Sequence, residues 1–165
     1  MALLSWGKPK IFVKNLEAAG AVWQLLPTPA EGTTTLETTK GNKTEAKLEG
    51  GENEDVRYER NTYVLNAGIR AIKDRKKPIQ DQDGIVTAKY AVALQPEDAN
   101  VPGLYMALST VSIEDTWSAA DGGQWNYAID ALKPETGKQV AWGKVVATET
   151  TGGYNVTFTE DESES

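Results

Sequence analysis

The chain has 165 residues, of which 39% are hydrophobic and 25% charged, and its formal net charge is −7. This length fits a single domain, and the composition is that of a folded globular protein. Cysteine and histidine are both absent, which excludes disulfides, thiolate nucleophiles, histidine metal ligands and Ser-His catalytic pairs. Composition therefore points away from most enzyme classes, and we expect no cofactor, no metal and no catalytic residue.

The acidic balance argues against a surface that grips nucleic acid, because such surfaces cluster Lys and Arg. Much of the acidity lies in residues 160–165, EDESES, which we predict to be a flexible tail after one domain spanning 1–159. The N-terminus shows no export signal, and no apolar run approaches the ~20 residues that a membrane-spanning helix needs. We therefore expect synthesis in the cytoplasm.

Apolar and polar residues alternate through most of the chain, and this period of two predicts half-buried antiparallel strands. The clearest case is 85–94, where every even-numbered residue is apolar. In chain order, the predicted strands are 9–16, 21–26, 45–49, 54–60, 63–72, 85–94, 103–111, 124–132, 139–147 and 154–159. Glycines predict hairpin turns near 121–123 and 134–138 and a tight turn at 152–153. About ten short strands joined in this way indicate a mainly β protein, an antiparallel sandwich or barrel.

Two segments leave alternatives open. Residues 63–72 are interpreted as a strand, although their apolar residues also fit one face of a helix. Residues 112–120 are either one short helix or the arm of an extended hairpin. The helix is suggested by Ser112 and Asp115, which resemble a capping box, and by Gly122, which lies where a helix would end.

Residues 27–41, PTPAEGTTTLETTKG, do not follow strand rules. A loop of this length is uncommon in a compact domain and is usually functional or disordered. Threonine favours extended structure, so we predict a long extended arm that becomes ordered against another surface. The predicted contact residues in this arm are Thr33, Thr34, Thr35, Leu36 and Glu37.

The five tryptophans divide by position. Trp125 and Trp142 lie in strongly alternating strands, so we expect them in the core. Trp6 and Trp23 flank the first predicted hairpin, and we predict that they lie at a protein–protein interface, where large aromatic side chains dominate the binding energy.

Six stretches together resemble a known family in their order and character. They are WGKPKIFVKNL at 6–16, the threonine-rich arm, TEAKLEGGENED at 44–55, DGIVTAKYAVALQPED at 83–98, and SAADGGQWNYAIDALKP at 118–134 with KQVAWGKVV at 138–146. The whole is similar to the major tail protein of long-tailed phages and prophages, the subunit that builds the tail tube. The helix expected of that family is not evident unless 63–72 or 113–120 supplies it.

The resemblance implies a structural virion protein rather than an enzyme. Its β-sandwich subunits would form hexameric rings, which stack into a tube that conducts DNA through a weakly acidic channel without binding it specifically. The arm at 27–41 would reach the neighbouring ring, and other tail proteins would be partners in the virion. Two alternatives remain open: a carbohydrate- or protein-binding β-sandwich module, and a glycoside hydrolase that uses a pair of carboxylates and no histidine.

Overall fold

The computed structural model describes residues 8–30, 32–98 and 100–160. Within these ranges the regular secondary structure consists of β-strands alone, and all strand pairs are antiparallel. In chain order the strands are β1 (Lys10–Asn15), β2 (Gln24–Leu25), β3 (Thr35–Thr39), β4 (Lys43–Lys47), β5 (Asn53–Tyr58), β6 (Thr62–Arg70), β7 (Ile85–Gln95), β8 (Gly103–Ser118), β9 (Gly122–Ala131), β10 (Ala141–Thr150) and β11 (Gly153–Glu160). The prediction of a mainly β antiparallel fold is confirmed. The described residues include no helix able to cross a membrane.

Nine strands form one branched sheet. Its path is β2-β1-β7-β8-β9-β6-β3, while β10 and β11 leave it as a branch. The branch arises because β8 is 16 residues long. β10 pairs with its first residues, Gly103–Tyr105, and β9 pairs with Ser109–Ser118 farther along. β4 and β5 form a separate two-stranded hairpin.

The sheet encloses apolar residues on both of its faces. Since side chains alternate along a strand, β1 directs Ile11 and Val13 into a larger core and Phe12 into a smaller one. The larger core lies between β1 and β6–β9. The smaller core lies where the β10–β11 hairpin covers β1 and β7, and there Phe12 meets Tyr154 edge-on at 5.3 Å between ring centroids. Two apolar layers of this kind give the fold its sandwich character.

The segment between β6 and β7 closes one side of the larger core. Ile79 is buried, and its N–H donates to the Tyr127 hydroxyl at 3.4 Å. Lys77 Nζ lies 3.0 Å from carboxylate oxygens of both Asp81 and Asp115. The hydrogen bond to Lys77, followed by that from the Gly84 N–H, lowers the pKa of Asp81, and the two carboxylates raise the pKa of Lys77. These contacts tie the segment to the sheet at two points.

The strand interpretation of 63–72 is confirmed by β6. Of the two alternatives for 112–120, the arm of an extended hairpin is confirmed and the short helix is wrong. β8 continues as a strand to Ser118 and pairs with β9 along its whole second half. Val111 and Ile113 point into the larger core, whereas Ser112 and Glu114 are exposed. This period of two, supported by continuous pairing with β9, outweighs the local capping pattern.

The predicted hairpin at 134–138 is also wrong. β9 and β10 do not pair with each other, since β9 pairs with β6 and β8 and β10 crosses to the start of β8. Gly137 does adopt a positive φ of 93°. A glycine turn reverses the chain locally, however, and does not determine which strands pair. The turns at 121–123 and 152–153 do connect paired strands.

Two boundaries differ from the prediction. The arm at 27–41 is not all loop, because Thr35–Thr39 forms β3 against β6. The tail does not begin at residue 160, because Glu160 ends β11 opposite Gly143, and its carboxylate lies 2.9 Å from Lys138 Nζ. Residues 161–165 lie outside the described ranges.

Candidate assembly surfaces

The predicted contact residues of the threonine-rich arm lie together along one side of the main sheet. The Thr33 hydroxyl donates to the Ala30 carbonyl at 2.6 Å, and the Ala30 N–H donates to the Gly68 carbonyl at 2.7 Å. These bonds lead the chain into β3, which carries Thr35, Leu36 and Glu37. Leu36 packs against the larger core. The arm is therefore ordered on its own sheet, with Thr35 and Glu37 exposed.

The tryptophans are distributed differently from the prediction. Trp23 is only 9% exposed and belongs to the smaller core, so its ring is not available to a partner. Trp142 was expected in the core but is 49% exposed. The reason is register, because Ala141 and Val145 are the inward residues of β10. Trp125 packs against the larger core as expected, and Trp6 lies outside the described residues.

β11 offers a long strand edge. Its pairing with β10 is continuous over all eight residues, without a bulge. The Tyr154 N–H donates to the Trp23 carbonyl at 2.8 Å, so it points away from β10. Because backbone groups alternate in direction along a strand, Val156 and Phe158 also direct their N–H groups to that outer side. There they have no backbone partner among the described residues.

β3 forms a second open edge, at the far end of the main path. It pairs with β6 on one side, and no described strand pairs with its other side. Natural proteins protect such edges with lysine, proline, bulges or covering loops, because exposed edges recruit other strands. Neither β3 nor β11 contains a lysine or a proline.

One face of the main sheet is almost entirely polar. Across β3, β6, β9 and β8, cross-strand pairing forms rows such as Thr35–Asn66–Ala128–Ser112. Neutral side chains bond to one another on this face: the Gln124 amide donates to Asn126 Oδ1 at 2.7 Å. The charged residues of this polar face are Glu37, Arg70, Glu114 and Asp130, together with Lys89, which adjoins it on β7 opposite Thr110. Three carboxylates against two cations make the face weakly acidic.

An apolar cleft of about 660 Å³ opens at one end of the sandwich. Its walls combine proline and leucine from the arm, from β7 and from the start of β8 with the half-exposed ring of Trp142. Lys8 lies at its rim. The apolar side chains that form these walls include Pro29, Leu36, Pro96, Pro102, Leu104 and Trp142.

At the other end, the β8–β9 hairpin extends past the last β7–β8 pair, Ile85–Ser112. Its tip exposes 77% of Trp117. The indole lies beside Gly123, where an added Cβ would be 3.4 Å from Trp117 Cδ1. Arg70 Nη1 donates to the Asp121 carbonyl next to it at 3.4 Å.

The sequence interpretation missed Trp117, the Trp142 cleft and the outer edge of β11. Trp117 shares the register of Val111 and Ile113 in β8, but residues 114–116 before it are all polar. An aromatic residue with such neighbours could have indicated an exposed ring. Among the described residues, no group of three His, Cys, Asp or Glu side chains is placed to hold a metal ion. No family model and no curated protein matches the chain.

Proposed function

We propose that this protein is the subunit of a phage tail tube, a structural virion protein that assembles into stacked hexameric rings around a DNA channel. The observation that carries the proposal is a pair of open strand edges in one sheet network, β3 and the part of β11 that follows its bridge to Trp23. The resemblance in residue order and character described above supports the same function.

The edges explain how a ring would form. Two different edges on one subunit permit a head-to-tail contact, in which β11 of one copy pairs with β3 of the next. Such heterologous contacts close into rings when the rotation between copies permits. Closure would pair the exposed backbone groups of these two edges, as in a complete barrel. The unpaired N–H and C=O groups of these edges would otherwise remain an aggregation hazard on each chain, so assembly also protects the subunit.

The polar face suggests how DNA would pass. In the proposed ring, the face of β3, β6, β9 and β8 lines the channel. A lining with few cations does not collect phosphates, because neutralised phosphates are the main source of DNA affinity. Glu37, Glu114 and Asp130 would repel the duplex, and they outnumber the two cations of the face, Arg70 and Lys89. DNA would slide rather than bind.

Negative-stain electron microscopy and sedimentation of the concentrated full chain test the proposal. We expect rings of six copies and stacks of rings, in amounts that increase with protein concentration. A protein that stays monomeric at high concentration would contradict it. A monomer whose tryptophan fluorescence responds to sugars would favour the alternative, a carbohydrate-binding module.

A further inference from the structure

Two unusual surface features lie at opposite ends of the single strand β8. The strand begins at Gly103, in the wall of the apolar cleft, and ends at Ser118, beside the exposed ring of Trp117. With a rise of roughly 3.3 Å per residue, the strand separates these ends by about 50 Å. The cleft and the Trp117 ring therefore cannot meet within one chain.

The two features match in size and chemistry. The cleft, at about 660 Å³, can hold an indole, and its proline and leucine walls suit an aromatic ring. Trp142 is half exposed in the wall and can pack against an incoming ring. Lys8 lies at the rim of the cleft, whereas Asp121 and Arg70 both lie beside Trp117. The hairpin tip therefore carries one charge of each sign and meets the rim without net repulsion.

We propose that Trp117 of one copy inserts into the Trp142 cleft of the next copy along the tube axis. This inference rests on the proposed function and assigns the contact that stacks one ring on another. The contact is head-to-tail, and because its two halves lie at opposite ends of β8, its repetition builds an open stack. Lateral pairing of strand edges forms the ring, and the Trp117 contact sets the order of rings.

A large buried aromatic residue at the centre of an interface usually carries much of its energy. Trp117→Ala and Trp142→Ala should therefore each prevent stacking but leave single rings, since neither side chain lies on the β11 or β3 edge. Trp117→Phe, which keeps an aromatic ring, should restore part of the stacking. Trp117 is exposed in the subunit, so its replacement leaves the fold intact.

Cross-linking tests the contact directly, since the chain has no cysteine of its own. One full-length variant carries Ser118→Cys at the hairpin tip, and a second carries Thr34→Cys in the cleft wall. After mixing and mild oxidation, we expect a disulfide-linked dimer that contains one copy of each. In the matched control, the second variant carries Thr157→Cys on β11, far from the cleft, instead of Thr34→Cys. We expect no such dimer from this mixture.

The outcomes separate this inference from the proposed function. Stacks that form equally well with Trp117→Ala, or equal cross-linking in the control, would overturn the Trp117 contact while leaving the tube proposal intact. Absence of rings in every variant and in the unchanged chain would overturn the tube proposal. A variant lacking residues 2–7 tests whether the chain's own N-terminal segment occupies the cleft. If acrylamide quenches Trp142 more strongly in this variant while stacking persists, the segment fills the cleft and the Trp117 contact is wrong.

Discussion

Gly103 and Gly143 face each other across β8 and β10, at the point where the sheet branches. A Cβ at Gly103 would overlap the Leu94 carbonyl oxygen, and one at Gly143 would overlap the Thr159 carbonyl oxygen. Three backbones come close here because β8 is paired with β7 and β10 at once. The smaller core, and with it the position of the β11 edge, therefore depends on two glycines.

Replacing Gly103 by alanine should lower the free energy of unfolding by about 2 kcal/mol, the typical cost of forcing an extra methyl group into a packed site. Urea denaturation measures this change. Gly123→Ala is the control, since its new Cβ would lie 3.2 Å from the Ala71 methyl group and can be accommodated by a small shift. Equal losses in the two variants would show that the branch point is not under this steric restriction.

The Lys77 ion pairs predict a pH dependence of stability. Asp81 has a lowered pKa in the folded protein, so its contribution is present above its ordinary value of 3.8 and is lost as pH falls through the folded pKa. Lys77 has a raised pKa, so its contribution is complete below its ordinary value of 10.5 and is lost as pH rises through the folded pKa. Melting temperatures measured from pH 2 to 11 should fall at both ends.

Lys77→Met should lower the melting temperature at neutral pH by a few degrees and flatten the decline in acid. The effect is limited to a few degrees because solvent still reaches Lys77 and Asp115 is exposed, and salt should reduce it further. Lys76→Met is the matched control, because Lys76 is exposed and makes no ion pair among the described residues. A parallel acid decline in both variants would contradict a role for these ion pairs.

The fold was largely predictable because a strand's period of two is local in the sequence. The alternation in 85–94 and 124–132 reflects side chains that pack on one face, and β7 and β9 follow it closely. The branch at Gly103 was not predictable, since which strand pairs with β8 depends on contacts between distant segments. The same limit explains the wrong hairpin at 134–138, where turn chemistry was correct but the partner was not.

The assembly surfaces were predictable only in part. The threonine-rich arm was singled out by composition, and it does form an open edge. The β11 edge was missed because exposure of a backbone edge leaves no mark on side-chain pattern. Trp23 was predicted at an interface but lies in the smaller core, and Trp142 was predicted in the core but is half exposed. A one-residue change of register is enough to move a side chain to the other face of a sheet.

The β11 edge can be blocked without removing any backbone bond inside the chain. Val156→Pro eliminates an N–H that points outward and places the proline ring at the edge. Val156→Ala is the matched control, because it loses the same packing against the smaller core and keeps the N–H. Sedimentation should show that the alanine variant forms rings and the proline variant stays monomeric at tenfold higher concentration. Similar assembly of the two variants would exclude β11 as the pairing edge.

The polar face predicts how charge affects DNA in the tube. A variant that reverses all three of its carboxylates carries Glu37→Lys, Glu114→Lys and Asp130→Lys. We expect its assembled tubes to retain fluorescent DNA at low salt and to release it as salt rises, because lysines in the channel would replace the counterions of the phosphates. Tubes of the unchanged chain should retain none at either salt concentration.

The control for that variant reverses the same number of charges away from the polar face, through Glu17→Lys, Glu135→Lys and Glu149→Lys. Its net charge is identical, so non-specific attraction to the outside of the tube is the same. Equal retention by the two variants would show that DNA binds the outer surface and that the polar face does not line the channel.

Cryo-electron microscopy of tubes assembled from the unchanged chain tests the central claim most directly. The expected map shows six subunits in each ring, a neighbouring strand bonded to the N–H groups of Val156 and Phe158, and Glu114 and Asp130 at the channel wall. A lumen lined by lysine, or rings in which the outer side of β11 faces solvent, would contradict the account.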